Sequence, residues 1–177
     1  MKNLTCSVIL VGMPGSGKST IGKNLARLLS MPFVDLDQQI EERCGVKIPI
    51  IFEIEGEAGF RKRETVALQE ALANGHIVLA TGGGAVLADV NRELLSQSGR
   101  VIYLKASVDE LYRRTIKDRN RPLLANTDPK QRLTELLAMR APLYESIADI
   151  TVETGAANIS SVTQKIAQQV SPCQDPS

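Results

Sequence analysis

The chain has 177 residues, of which 43% are hydrophobic and 23% charged, with a formal net charge of +1. Those values fit one domain with a buried core and exclude general disorder, and the near-neutral balance offers no broad footprint for nucleic acid. Aromatic residues make up 3% and tryptophan is absent, which argues against stacking platforms for single strands.

Three scattered cysteines, Cys6, Cys44 and Cys173, and the single histidine, His76, supply neither a disulfide framework nor a zinc cluster. Reduced thiols and a cytoplasmic setting are expected. No stretch has the length of a signal peptide or a membrane span.

Residues 7–11 (SVILV) are a β-branched run that reads as a buried parallel strand. Gly12-Met13-Pro14-Gly15-Ser16-Gly17-Lys18-Ser19 follows and matches G-x-x-x-x-G-K-[ST] at every fixed position. Glycines at 15 and 17 let consecutive backbone N–H groups turn onto phosphate oxygens. From Lys18 the spacing becomes helical, with Ile21, Leu25, Leu28 and Leu29 on one face until Pro32. The helix start adds its unpaired N–H groups and positive dipole end to the same anion. Lys18 supplies a cation for the terminal phosphates, Ser19 a hydroxyl for Mg²⁺ and Thr20 a further donor.

Residues 33–36 read as a second strand ending in Asp35-Leu36-Asp37, and residues 38–43 as a short helix stopped by Gly45. Alternation along an extended segment points Asp35 and Asp37 the same way. One can hold Mg²⁺ through water while the other accepts a hydrogen bond from an attacking hydroxyl. The competing reading of Asp37 is an exposed helix cap.

A helix is expected over residues 60–73, closed by Asn74-Gly75. Arg61 and Glu64 share a face on it, either as a solvated pair or as a guanidinium oriented for a carboxylate. Residues 77–80 read as the third strand. Gly82-Gly83-Gly84 then allows close approach of backbone to a ligand, beyond what a plain turn needs. A helix from Asp89 to about 97 and a fourth strand over 101–104 follow, and Ser107-Val108-Asp109-Glu110 is a capping box.

Residues 117–128 are polar and basic, contain Arg119, Arg121 and Pro122, and read as a mobile lid that excludes water. Asp128-Pro129 opens a helix carrying Leu133, Leu136 and Leu137 and ending near Pro142. Arg140 at that end is either a dipole partner or a second guanidinium for the acceptor. A fifth strand over 147–152 and a helix over 159–170 complete the pattern, and residues 171–177 read as a disordered tail. Strands alternating with helices give an α/β fold, a three-layer α/β/α domain over residues 1–170. A GTPase would carry N-K-x-D and a transporter ATPase a strand ending in Asp-Glu. Neither is present, so a small-molecule kinase leads.

Taken together, these segments resemble shikimate kinase, a P-loop kinase fold of the nucleoside-monophosphate-kinase type, with a five-stranded parallel sheet and a mobile lid. The resemblance runs from about Val8 to Val152. It rests on residues 12–20, 35–41, 51–64, Gly82-Gly83-Gly84-Ala85, Arg121-Pro122-Leu123-Leu124 and Arg140-Ala141-Pro142-Leu143-Tyr144. It implies ATP binding by Gly15, Ser16, Gly17, Lys18, Ser19 and Thr20, with Mg²⁺ held by Ser19 and, in its outer shell, Asp35. It further implies that Asp37 orients the attacking hydroxyl of shikimate, that Arg61 and Arg140 clamp its carboxylate, and that Gly83 binds it through the backbone. Glu64 and Gly82 would support that site, and Lys18 and Arg121 would stabilise the transferring group. Ala157 stands where relatives often carry a long side chain against adenine, so the adenine edge departs from the pattern. A monomer acting on ATP and shikimate, with no nucleic acid or membrane partner, is expected. A gluconate or nucleotide kinase of the same fold and a non-catalytic nucleotide-binding module are the alternatives.

Overall fold

The computed structural model describes residues 6–116, 128–155 and 158–170. Five parallel strands form one sheet in the order β2-β3-β1-β4-β5. They are β1 Ser7–Val11, β2 Phe33–Asp35, β3 Val78–Ala80, β4 Gly99–Lys105 and β5 Ile150–Glu153. Central β1 pairs with β3 on one side (Ile9 opposite Leu79) and β4 on the other (Ile9 opposite Val101). Its carboxyl end therefore opens between neighbours whose connections leave in opposite directions, where such sheets bind ligands.

Strand alternation divides the core into two layers. Val8, Leu10, Val78, Ile102, Leu104 and Val152 face helices α1 (Lys18–Leu29) and α7 (Ile159–Val170). Ile9, Val11, Leu79, Val101 and Tyr103 face the opposite way. There they meet α2 (Leu36–Cys44), α3 (Ile48–Ala73), α4 (Asp89–Ser98), α5 (Val108–Thr115) and α6 (Pro129–Ile147). Gly22 allows α1 to lie close on the sheet, because a Cβ there would stand 2.5 Å from Phe33 Cε2. No helix among the described residues is long and apolar enough to cross a membrane.

Several boundaries differ from the sequence expectation, β5 among them, which begins at Ile150 because Ile147 still belongs to α6, and three bear on the site. Helix α3 begins at Ile48 rather than near residue 60, with Pro49 in its first turn and the Glu41 carboxylate accepting from Ile48 N at 2.9 Å. It breaks at Gly56, whose φ of 71° and ψ of 179° lie outside helical space. Helix α6 runs through Pro142 to Ile147, so one lost backbone donor does not end it. Buried Arg140 and Tyr144 on either side of Pro142 hold that stretch against the core. Helix α2 starts at Leu36, which shortens β2 to three residues. The lid and tail expectations fall on residues 117–127 and 171–177, outside the described residues.

Candidate active site

The first half of the site is the loop between β1 and α1. Gly15 and Gly17 have φ of 86° and 97°, a left-handed region that side chains rarely adopt. Gly15 is also packed tightly, because a Cβ would stand 2.8 Å from Thr115 Cγ2 on α5. Gly17 caps α1 without a side chain, leaving the first-turn N–H groups of α1 to be met by an anion. Lys18 is buried, and its Nζ donates to Gly12 O at 2.7 Å and Met13 O at 2.9 Å, which folds the cation into the loop's concavity. The Ser16 hydroxyl is buried without a partner among the described residues. Such an orphan is costly unless a ligand completes it.

Asp35 and Asp37 both line the same cavity, of about 810 Å³, with the phosphate loop, but not as an alternating pair on a strand. Asp35 is the N-cap of α2, accepting from Gln38 N at 3.1 Å and from the Ser19 hydroxyl at 2.6 Å. The capping role thus belongs to Asp35. Asp37 lies in the first helical turn, with its Oδ1 beside Gly82, where a Cβ would come within 2.8 Å of it.

The second half is built from α3, α6 and the triple glycine after β3. Arg61 NH1 donates to Glu64 Oε1 at 2.9 Å, and NH2 to Glu57 Oε1 at 3.3 Å. Glu64 is 1% exposed, so the pair is not the solvated surface alternative. Burial raises the Glu64 pKa, opposed by the Arg61 guanidinium, and the neighbouring Asp37 charge raises it further. Arg140 is 2% exposed and mid-helix, so it is not a partner for the end of a helix dipole. Its NH1 lies 3.2 Å from where a Gly83 Cβ would stand, and the Arg61 guanidinium packs on Gly84 in the same way. Both arginines keep a buried Nε without a partner among the described residues. Two cations pressed against adjacent glycines, with a carboxylate at Gly82, make a compact receptor for an anion that also carries hydroxyls.

The structure thus gathers Gly15, Ser16, Gly17, Lys18, Ser19, Thr20, Asp35, Asp37 and Gly83 around one cavity, with Arg61, Glu64, Gly82 and Arg140 packed behind its Gly83 wall. Arg121 and Ala157 lie outside the described residues. Two residues escaped the sequence reading. Arg114 lines the cavity and donates to Gly15 O at 3.2 Å and Thr154 O at 2.7 Å, joining the phosphate loop to the segment after β5. Its only sequence signal is an arginine in the last turn before a basic loop. Tyr144, four residues after Arg140, donates its hydroxyl to Gly83 O at 2.5 Å. That helical spacing was the available signal.

The shikimate kinase family model matches residues 14–171. A curated shikimate kinase from Bordetella avium (strain 197N) is 59% identical over 159 residues, covering 90% of this chain and 76% of that protein. One from Pseudomonas aeruginosa (strain LESB58) is 51% identical over 164 residues, covering 93% of this chain and 95% of that protein. The solved structure of shikimate kinase from Acinetobacter baumannii in complex with shikimate superposes with a TM-score of 0.92 at 47% identity. That match covers 94% of this chain and 93% of the other. A gluconokinase from Sinorhizobium meliloti 1021, at 17% identity and a TM-score of 0.58, shares the fold.

Proposed function

The chain belongs to the shikimate kinase family, and from that premise we propose how its own residues carry a phosphoryl group from ATP to the 3-hydroxyl of shikimate. The activity is ATP-dependent phosphorylation of shikimate, giving 3-phosphoshikimate on the route to chorismate and the aromatic amino acids. The observation that carries the residue assignment is that Asp37 and Gly83 line the cavity that also holds the phosphate loop, with Arg140 packed against Gly83 and Arg61 against Gly84.

In this reading the amides of Gly15 to Thr20 and the first turn of α1 bind the ATP phosphates, completing the orphan Ser16 hydroxyl. Lys18 exchanges its two loop carbonyls for phosphate oxygens and offsets charge on the transferring group. Ser19 and Asp35 place a neutral and an anionic oxygen side by side at 2.6 Å, a donor set that fits Mg²⁺, which takes few protein oxygens plus phosphates and water. Bound there, Mg²⁺ would neutralise charge on the β- and γ-phosphates.

Arg61 and Arg140 grip the shikimate carboxylate, each with an Nε proton to spare, and Glu64 fixes the Arg61 fork. The Gly83 backbone and Asp37 take substrate hydroxyls. Asp37 orients the attacking hydroxyl and accepts its proton as the bond to phosphorus forms. The family resemblance assigns Arg121 to the ATP phosphates and Ala157 to the adenine edge, and both lie outside the described residues. The proposal further takes a cytoplasmic monomer acting on small molecules alone, supported for nucleic acid by the near-neutral charge. Sedimentation should give the mass of one chain.

The test is Mg·ATP-dependent ADP release with shikimate, quinate, gluconate and nucleotides assayed in parallel. Shikimate should drive turnover well above the others. Turnover driven by gluconate or a nucleotide, with none from shikimate, would overturn the reading.

A further inference from the structure

We propose that Tyr144 is a positioning residue for shikimate, because its hydroxyl fixes the one carbonyl of the triple glycine that, among the described residues, the backbone leaves untied. The inference rests on the assignment of Gly83 to the acceptor site.

Three consecutive glycines form a soft segment. Each has more conformational freedom than any other residue, and none carries a side chain that packing could hold. A backbone donor or acceptor aimed at a substrate must nevertheless keep its direction, or the entropy of fixing it is charged to binding. The structure shows how the segment is held. Gly82 O accepts from Ala85 N at 3.1 Å, and Gly84 O accepts from Leu87 N at 3.1 Å. Both are local bonds of the short 3₁₀ turn Ala85–Leu87. Gly83 O takes a different partner, the Tyr144 hydroxyl at 2.5 Å, from a helix 61 residues away. Among the described residues no backbone bond is donated by the N–H of Gly83 or Gly84. The carbonyl side of the segment is thus fixed while its N–H side is left for a ligand.

Tyr144 suits the task. It is fully buried and its ring stacks on Tyr103, with centroids 5.1 Å apart. The hydroxyl therefore has little freedom of its own. Burial raises its pKa well above the usual phenol value, so it stays a protonated donor throughout the working range. Arg140, one turn earlier on α6, lies against the same hydroxyl. One helix face thus sets both the Arg140 guanidinium and the Gly83 peptide. A hydrogen bond to Gly83 O also polarises the peptide it belongs to, whose donor is Gly84 N–H.

The Tyr144→Phe variant keeps the stacked ring and deletes the hydroxyl alone. With shikimate and ATP varied separately, the shikimate KM should rise by about tenfold while the ATP KM stays within about twofold of the parent. Ile166→Val, trimming the core on the other face of the sheet, is the control for mere loosening and should leave both KM values at the parental level. In the apo protein, amide exchange at Ala85 and Leu87, whose N–H groups are bonded to Gly82 O and Gly84 O, should quicken in Tyr144→Phe while Val78–Ala80 stays protected. In the unsubstituted protein, the Tyr144 hydroxyl proton should exchange slowly enough for NMR to detect it next to the Gly83 α-protons. An unchanged shikimate KM, an equal rise in both KM values, or a freely exchanging hydroxyl proton would overturn the proposal. A parent chain without shikimate-dependent turnover would instead remove the functional reading, and the two exchange measurements would still judge Tyr144.

Discussion

Asp35 and Asp37 stand two residues apart, and their surroundings divide their work. Asp35 is engaged by Ser19 and by the α2 backbone, so its removal should cost helix stability as well as metal affinity. Asp37 stands in the first turn of α2 rather than at its cap and lines the cavity beside Gly82. Asp37→Asn should lower kcat by at least about a hundredfold while ATP still binds, as measured by turnover and by nucleotide titration. Near-normal turnover would take Asp37 out of the reaction. Glu64 makes a pH-dependent prediction. Its folded pKa is raised above the ordinary 4.5, so the folded state holds its proton at pH values where the unfolded chain has lost it. Stability should therefore fall as pH rises from about 4.5 through the folded pKa, and level off above it. Urea unfolding of parent and Glu64→Gln across that window should show this fall in the parent only. Glu55 and Asp109, lowered by Arg63 and Lys130, act oppositely and below the ordinary carboxylate range, and they cancel in the comparison.

At the scale of elements, α3 shows how one backbone angle aims a functional group. Its first part packs Ile51 into the core and its second part buries Phe60, Glu64 and Leu68. Gly56 joins the two at φ 71° and ψ 179°, a region open almost only to glycine. A Cβ there would touch nothing within 4 Å, so Gly56→Ala tests backbone strain alone. It should destabilise the fold by about 1–3 kcal/mol in urea titration and raise the shikimate KM, because Arg61 lies five residues beyond the break. Sequence reading reached the second part of α3 through its apolar spacing. It missed the first, where Ile48-Pro49-Ile50-Ile51 carries no helical signature and the cap comes from Glu41 on a neighbouring helix. The end of α6 was misjudged for the same kind of reason. Pro142 is a local stop signal, overridden by Arg140 and Tyr144 anchored in the core.

For the molecule as a whole, nucleotide and acceptor meet on one rigid sheet but hold to different elements. In the proposed assignment ATP rests on β1 and α1, whereas shikimate rests on α2, α3, α6 and the glycine turn. Each ligand should therefore raise the unfolding temperature by itself. ATP at about a hundred times its Kd should add roughly 2.7 kcal/mol of stability. In an Arg61→Ala/Arg140→Ala double variant, calorimetry should find the shikimate shift gone and the ATP shift retained. What the sequence determined by itself was local. The phosphate loop is contiguous and needs its glycines at fixed spacing, and the alternation of strands and helices follows from periods read one after another. The net charge of +1 concealed Lys18, Arg61 and Arg140, and only the tertiary structure brought them to one place. It decided that Asp35 is the cap and Asp37 is not, that Arg140 is buried mid-helix, and that Tyr144 reaches Gly83 across 61 residues. Those facts depend on which partners the folded chain brings within about 3 Å, and a hydrogen bond has no strength at sequence distance.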